Sequence, residues 1–226
     1  MSETIAERLA RIRDAIVAAA TRVGRDPGAI ALIAVGKGHP VAALAEAFVA
    51  GQRALGENYA HELTTKAAAI PEAEWHFVGH LQRNKVKEVV PHVRWIHTLD
   101  SLALAAAVDA KATRPIECCI EINIGNEPTK MGIAPEALLP LLAAMPSYRR
   151  LRLRGLMGMP PPHPDPEASR PYFRRLRELL ESANGGRCTP EPLTELSMGM
   201  TNDYTIAIEE GATMVRIGTG IFGERP

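Results

Sequence analysis

Eight short apolar runs alternate with helical segments along this 226-residue chain, and the alternation predicts an α/β fold, a single-domain (β/α)8 TIM barrel. Strict β-α order implies parallel strands joined by right-handed crossovers. Eight such units close naturally into a barrel of roughly 250 residues. An open doubly wound sheet would more often carry a glycine fingerprint after its first strand, and that position holds Gly36-Lys37-Gly38-His39-Pro40 instead. One extra helix, residues 4–23, precedes a barrel spanning residues 30–223.

The N-terminal helix follows from Ile5, Leu9, Ile12, Ile16 and Val23 at helical spacing, a Thr4/Glu7 capping box and a left-handed stop at Gly24. Strand one, residues 30–37, is apolar on both faces: Ile33 and Val35 share the face of Lys37, and Leu32, Ala34 and Gly36 take the other. An alanine-rich helix, 41–50, ends at Gly51, and strand two, 53–58, runs into a helix, 59–69, closed by Pro71. Strand three, 74–80, precedes a short helix, 84–90, stopped by Pro91. Strand four (93–99), a helix (101–112) and strand five (116–124) lead to a helix over 135–145 with Pro135 in its first turn. Strand six is 151–159. The proline-rich stretch 160–169 opens into a helix with Pro171 in its first turn, a stripe of Tyr172, Phe173, Leu176, Leu179 and Leu180, and a stop at Asn184-Gly185-Gly186. Strand seven is 193–199, the next helix 203–210, stopped by Gly211, and strand eight 214–222. Only Glu224-Arg225-Pro226 follow, so no eighth helix is expected there, and the N-terminal helix is the candidate to cover that gap.

Composition narrows the function. Lys+Arg and Asp+Glu both number 26, so no basic excess exists to meet nucleic-acid phosphates or an anionic membrane. No apolar run approaches a membrane span, and the N-terminus lacks the apolar core of a signal peptide. Cys118 and Cys119 are adjacent on a strand and Cys188 is distant; without C-x-x-C spacing they read as packing thiols of a cytoplasmic protein, with no metal site.

In a (β/α)8 barrel the chemistry sits at the C-terminal strand ends. There the chain places Lys37, Glu57-Asn58-Tyr59, His80, Ser197-Met198-Gly199 and, late in strand eight, Gly218-Thr219-Gly220. A lysine ending an apolar strand is costly unless paired, covalently used or reaching solvent. The small-residue loops after strands seven and eight are where such barrels bind phosphate. A lysine on one side and a phosphate on the other suit a ligand with an aldehyde and a phosphate, as in pyridoxal 5′-phosphate (PLP). Plainer readings stand beside this: close packing for Gly218 and Gly220, a cap or core hydroxyl for Ser197, satisfied rim groups for Asn58 and His80, and a core histidine for His76. Period two on strand eight turns Arg216 inward with Met214 and Gly218, and a permanently charged guanidinium inside a barrel needs an acceptor.

With AVGK37, GENYAHEL (56–63), WHFVGHLQRNK (75–85), INIGNEPTKMGI (122–133), GLMGM (155–159), SMGMTND (197–203) and VRIGTGIFGER (215–225), the chain resembles the pyridoxal-phosphate homeostasis protein family (YggS/PROSC-like), itself similar to the barrel domain of alanine racemase. The resemblance implies an internal aldimine between Lys37 and PLP, and phosphate contacts from the Ser197–Met198 and Gly218–Thr219 region. It also implies Asn58 in the cofactor pocket, His80 beside the ring and Arg216 near the pyridine nitrogen. Gly36 stands where the family commonly has serine, and Gly38-His39-Pro40 where it has Thr-Lys-Pro. A non-catalytic carrier that buffers PLP, with PLP-dependent enzymes as transient recipients, competes with an amino-acid racemase. Racemisation needs a base on each face of the substrate carbon. In alanine racemase the second is a tyrosine met through another domain, and none of Tyr59, Tyr148, Tyr172 and Tyr204 occupies a recognisable catalytic position. The carrier is the expectation, as a monomer.

Overall fold

The computed structural model describes residues 3–127, 130–186 and 189–225. Eight parallel strands close into a barrel in chain order: β1 (Ala31–Val35), β2 (Ala54–Glu57), β3 (Glu74–Phe77), β4 (Trp95–Leu99), β5 (Ile116–Ile122), β6 (Leu151–Gly158), β7 (Glu195–Ser197) and β8 (Met214–Ile217). The helices are α1 (Ile5–Arg22), α2 (Val41–Val49), α3 (Ala60–Ala69), α4 (Val86–Val89), α5 (Leu102–Lys111), α6 (Leu138–Ala144), α7 (Arg170–Gly185), α8 (Tyr204–Glu209) and α9 (Thr219–Phe222). The predicted fold class is the observed one.

Alternation along the strands separates two cores. Ile33 and Val35 of β1, Cys119 of β5, Met157 of β6 and Met214 of β8 meet inside the barrel, joined by Val78 just past β3. Ala34, Leu55, Phe77, Cys118, Leu156, Val215 and Ile217 face the helices. Both faces of the strands are therefore apolar, as parallel sheets under helices require. Cys118 and Cys119 are free and buried on opposite faces, and burial pushes the Cys118 thiol up to about 12. Cys188, Pro128 and Thr129 lie outside the described residues.

The predicted capping box starts α1: the Thr4 hydroxyl accepts from the Glu7 amide at 3.2 Å, and a Glu7 carboxylate oxygen accepts from the Thr4 amide at 2.7 Å. The helix buries Leu9, Ile12, Ile16, Ala19 and Ala20 and packs on α2, α8 and α9. It thus covers the seam where β8 meets β1.

Several boundaries differ from the sequence expectation. β8 ends at Ile217, and Gly218 turns the chain into α9 where strand to residue 222 and no helix were expected. The cause is tertiary: beyond Ile217 the Ile221, Phe222 and Gly223 amides bond back to the Gly218 and Thr219 carbonyls, and the turn so formed packs on α1 and sets Phe222 against His39. β7 is three residues long, and β3 stops short of His80. The helix expected over 135–145 is a 3-10 turn (Pro135–Ala137), then α6, then a second turn (Met145–Ser147). Pro140 sits in the first turn of α6, where an amide hydrogen would have no helical partner.

Candidate functional site at the barrel mouth

Lys37 stands two residues beyond β1, and its flanking backbone is clamped on both sides. The Gly36 amide donates to the Gly56 carbonyl at 2.9 Å. The Gly36 carbonyl accepts from Lys66 Nζ at 2.8 Å, and the Gly38 amide donates to Glu62 Oε2 at 2.9 Å. Lys66 itself is buried between Glu57 Oε1 (2.5 Å) and Glu62 Oε2 (2.6 Å). Gly38 has φ +75°, a left-handed backbone that favours glycine, and a Cβ there would come within 2.9 Å of the Arg225 side chain. His39 is buried against the Phe222 ring, 5.3 Å between centroids. The departures beside the lysine therefore have local reasons: a left-handed turn at Gly38, a packed imidazole at His39, and at Gly36 a Cβ that would come within 2.6 Å of the Leu44 side chain.

Lys37 is half-buried. Burial, then the charge of Arg225, holds its ammonium below the usual lysine range, with Glu57 pulling the other way. Burial also pushes the Glu57 carboxyl up, opposed by its bond to Lys66. Sequence reasoning missed Lys66. The signal was available: it lies four residues after Glu62 and three after Leu63, on the apolar stripe of α3 rather than its wet face.

Asn58, Tyr59, Phe77, Gly79 and His80 line a cleft of about 370 Å³ between the loops after β2 and β3. The loops touch because residue 79 has no side chain; a Cβ there would lie 2.2 Å from the Asn58 carbonyl oxygen. Asn58 Oδ1 is buried with no partner among the described residues. His80 is exposed, its Nδ1 3.7 Å from Asp100 Oδ2, on the outer wall. The structure thus brings Asn58 and His80 together, and Lys37 is not among the residues lining that cleft.

Arg216 points inward as period two requires, and is 5% exposed. One terminal nitrogen donates to the Ser197 carbonyl (2.7 Å) and hydroxyl (2.6 Å), the other to the Gly158 carbonyl (3.4 Å). Its acceptors come from β6 and β7, brought beside it by closure of the barrel. Burial lowers its pKa to about 10, with Glu121 the leading opposing influence. Glu121 of β5 is buried, its Oε2 has no partner among the described residues, and its carboxyl is pushed up to about 7 chiefly by burial. It too escaped the sequence reading, in a strand where both faces are buried.

Ser197 and Met198 sit lower than expected. Ser197 is level with Met214, the first residue of β8, and its hydroxyl is fully buried against Arg216 and His97. Met198 turns outward into the helix-facing core. At the rim stand Thr201, whose hydroxyl accepts from the Gly220 amide at 3.2 Å, and the Gly218–Thr219 turn opening α9. The Gly218 and Thr219 amides have no acceptor among the described residues.

The alanine racemase N-terminal domain family matches residues 8–226. The chain is 42% identical over 227 residues to the pyridoxal phosphate homeostasis protein of Pseudomonas aeruginosa, covering 98% of this chain and 96% of that one. It is 44% identical over 232 residues to the protein of the same name from Escherichia coli, covering 98% and 97%. PipY of Synechococcus elongatus, solved with PLP bound, superposes with TM-score 0.84 at 36% identity, covering 97% of this chain and all of that one. An alanine racemase of Clostridium difficile shares the fold alone, at TM-score 0.71 and 13% identity over 60% of its length. The inward Arg216, the clamped Lys37 and these full-length likenesses converge: the chain belongs to the pyridoxal phosphate homeostasis protein family, within the alanine racemase N-terminal domain family.

Proposed function

We propose that this protein binds PLP, holds it as a Schiff base on Lys37, and serves PLP homeostasis by buffering or delivering the cofactor rather than by turning over amino acids. The observation that carries the reading is Lys37, an amine at the barrel mouth whose charged form is disfavoured by burial and by Arg225. The described residues fit the group: an unpartnered Asn58 oxygen near the mouth, unspent amides at Gly218 and Thr219, and a cation at Arg216 inside. The names of the full-length relatives and the PLP-bound PipY support it. When bound, PLP supplies an aldehyde for an amine and a ring that draws electrons.

The chain's own groups then divide the work. Lys37 presents the amine. Arg216 stays cationic at neutral pH and opposes protonation of a ring nitrogen beside it, which weakens the ring as an electron sink. PLP-dependent enzymes would be the transient recipients of the cofactor. We further take the protein as a cytoplasmic monomer; no helix among the described residues is long and apolar enough to cross a membrane. For the racemase alternative, Tyr59 is the one tyrosine lining the mouth cleft, and it is 50% exposed. The deciding experiment incubates the PLP-loaded protein with amino acids in deuterated water. With a base on one face only, and such groups contributing typically ~10²–10⁴-fold each, only traces of racemisation are expected. Efficient exchange or racemisation of any amino acid would restore the enzyme reading.

The cofactor's phosphate is assigned to the Gly218–Thr219 turn braced by Thr201, in place of the Ser197 hydroxyl, which is already spent. A charged hydrogen bond contributes about 1.5–3 kcal/mol. Thr201→Ala with Thr219→Ala should therefore weaken PLP at least tenfold more than the unphosphorylated aldehyde pyridoxal. Equal losses would put the phosphate elsewhere.

A further inference from the structure

Five side chains form an unbroken line through the barrel interior. Glu74, the first residue of β3, is partly exposed and its Oε1 lies 3.2 Å from His76 Nε2. His76 Nδ1 is 2.9 Å from His97 Nε2, and His97 Nδ1 is 2.7 Å from the Ser197 hydroxyl. That hydroxyl meets Arg216 at 2.6 Å. His76, His97 and Ser197 are all at most 1% exposed, and Trp95 stacks on His76 at 5.8 Å between ring centroids.

Donor accounting leaves one assignment. Arginine only donates, so Ser197 Oγ accepts from Arg216. An ionised carboxylate only accepts, so the hydrogen between His76 and Glu74 is on His76 Nε2. Burial holds both imidazoles below their usual range, and a neutral ring carries one hydrogen. His76 Nδ1 must then accept, His97 Nε2 must donate, and His97 Nδ1 must accept from the Ser197 hydroxyl. The Glu74 end fixes this assignment, and the Arg216 end agrees with it, because a hydroxyl that accepts from a guanidinium keeps its own hydrogen to give to His97 Nδ1; each link then has one donor and one acceptor.

We propose that Glu74, His76, His97 and Ser197 are positioning residues: a tautomer-locked line that fixes the Arg216 guanidinium for the ring of a bound PLP. This rests on the function proposed above. The need for such a device is visible in Glu121, whose Oε2 has no partner among the described residues and whose charge is the leading attraction on Arg216. Unrestrained, the guanidinium would be drawn to that carboxylate. The paired bonds to the Ser197 hydroxyl and carbonyl hold it back, and the histidines hold the hydroxyl.

The test begins on PLP-free protein, with ¹H–¹⁵N spectra of the histidine rings. Both His76 and His97 should carry their hydrogen on Nε2. Ser197→Ala should release His97 into mixed tautomers and weaken PLP by about 10–100-fold, the worth of one hydrogen bond to a charged group. Pyridoxal should lose affinity in the same proportion, because the effect is on the ring and not the phosphate. His97→Asn, which keeps an oxygen for the Ser197 hydroxyl, should bind PLP more tightly than His97→Leu. A hydrogen on Nδ1 of either ring in the unsubstituted protein would overturn the line. So would unchanged affinity for both aldehydes in Ser197→Ala. Failure of the unsubstituted protein to bind either aldehyde would count against the function proposed above, and the tautomers would still decide the line.

Discussion

Lys37→Ala should abolish the visible absorption of PLP bound to the protein and leave nothing for borohydride to fix. An unperturbed lysine titrates near ~10.4, so at neutral pH it is almost wholly an unreactive ammonium. Each unit by which burial and Arg225 lower that value raises the neutral amine about tenfold. Two other lysines near the mouth are already engaged: Lys66 is bound to two carboxylates and a carbonyl, and Lys85, which lines the cleft, is bound to Glu88. A reducible band that persists undiminished in Lys37→Ala would mean another amine holds the cofactor. The non-covalent contacts stay in this variant, so weak binding of the free aldehyde should remain.

Lys66→Met should destabilise the fold by ~3–5 kcal/mol, because it strands a carboxylate that is 0% exposed. Methionine fills much of the same volume, so a lost cavity contribution is small. The loss should appear as a lower urea midpoint at unchanged slope. Adding Glu57→Gln should recover part of it, since a neutral amide without Lys66 costs less than a bare charge. A change below ~1 kcal/mol would show that Glu57 is already protonated or hydrated there. Because Lys66 also holds the Gly36 carbonyl, the variant should bind PLP more weakly than its stability loss alone explains.

The barrel was readable because the strand runs are apolar and the helices between them are marked by caps, prolines and glycines, as with the Thr4/Glu7 box before α1. Lys37 stood out as a candidate because one charge follows an otherwise apolar strand. Depth within the barrel was not. A strand buried on both faces has no polar alternation to mark its level, so Ser197 could not be ranked below Gly218 without the pairing that sets it beside Met214. For the same reason Glu121 and the partners of Arg216 were invisible: they come from β5, β6 and β7, brought near only by closure. The end of β8 failed differently. Ile217 to Phe222 has strand-forming residues, and packing against α1 and His39 overrode them.

The central claim is that Lys37 carries PLP. Unsubstituted protein loaded with PLP, reduced with borohydride, digested and mapped by mass spectrometry should carry the pyridoxyl mass on Lys37 in near-stoichiometric yield. A label distributed over surface lysines, or seated on a different single residue with Lys37 unmodified, would contradict it.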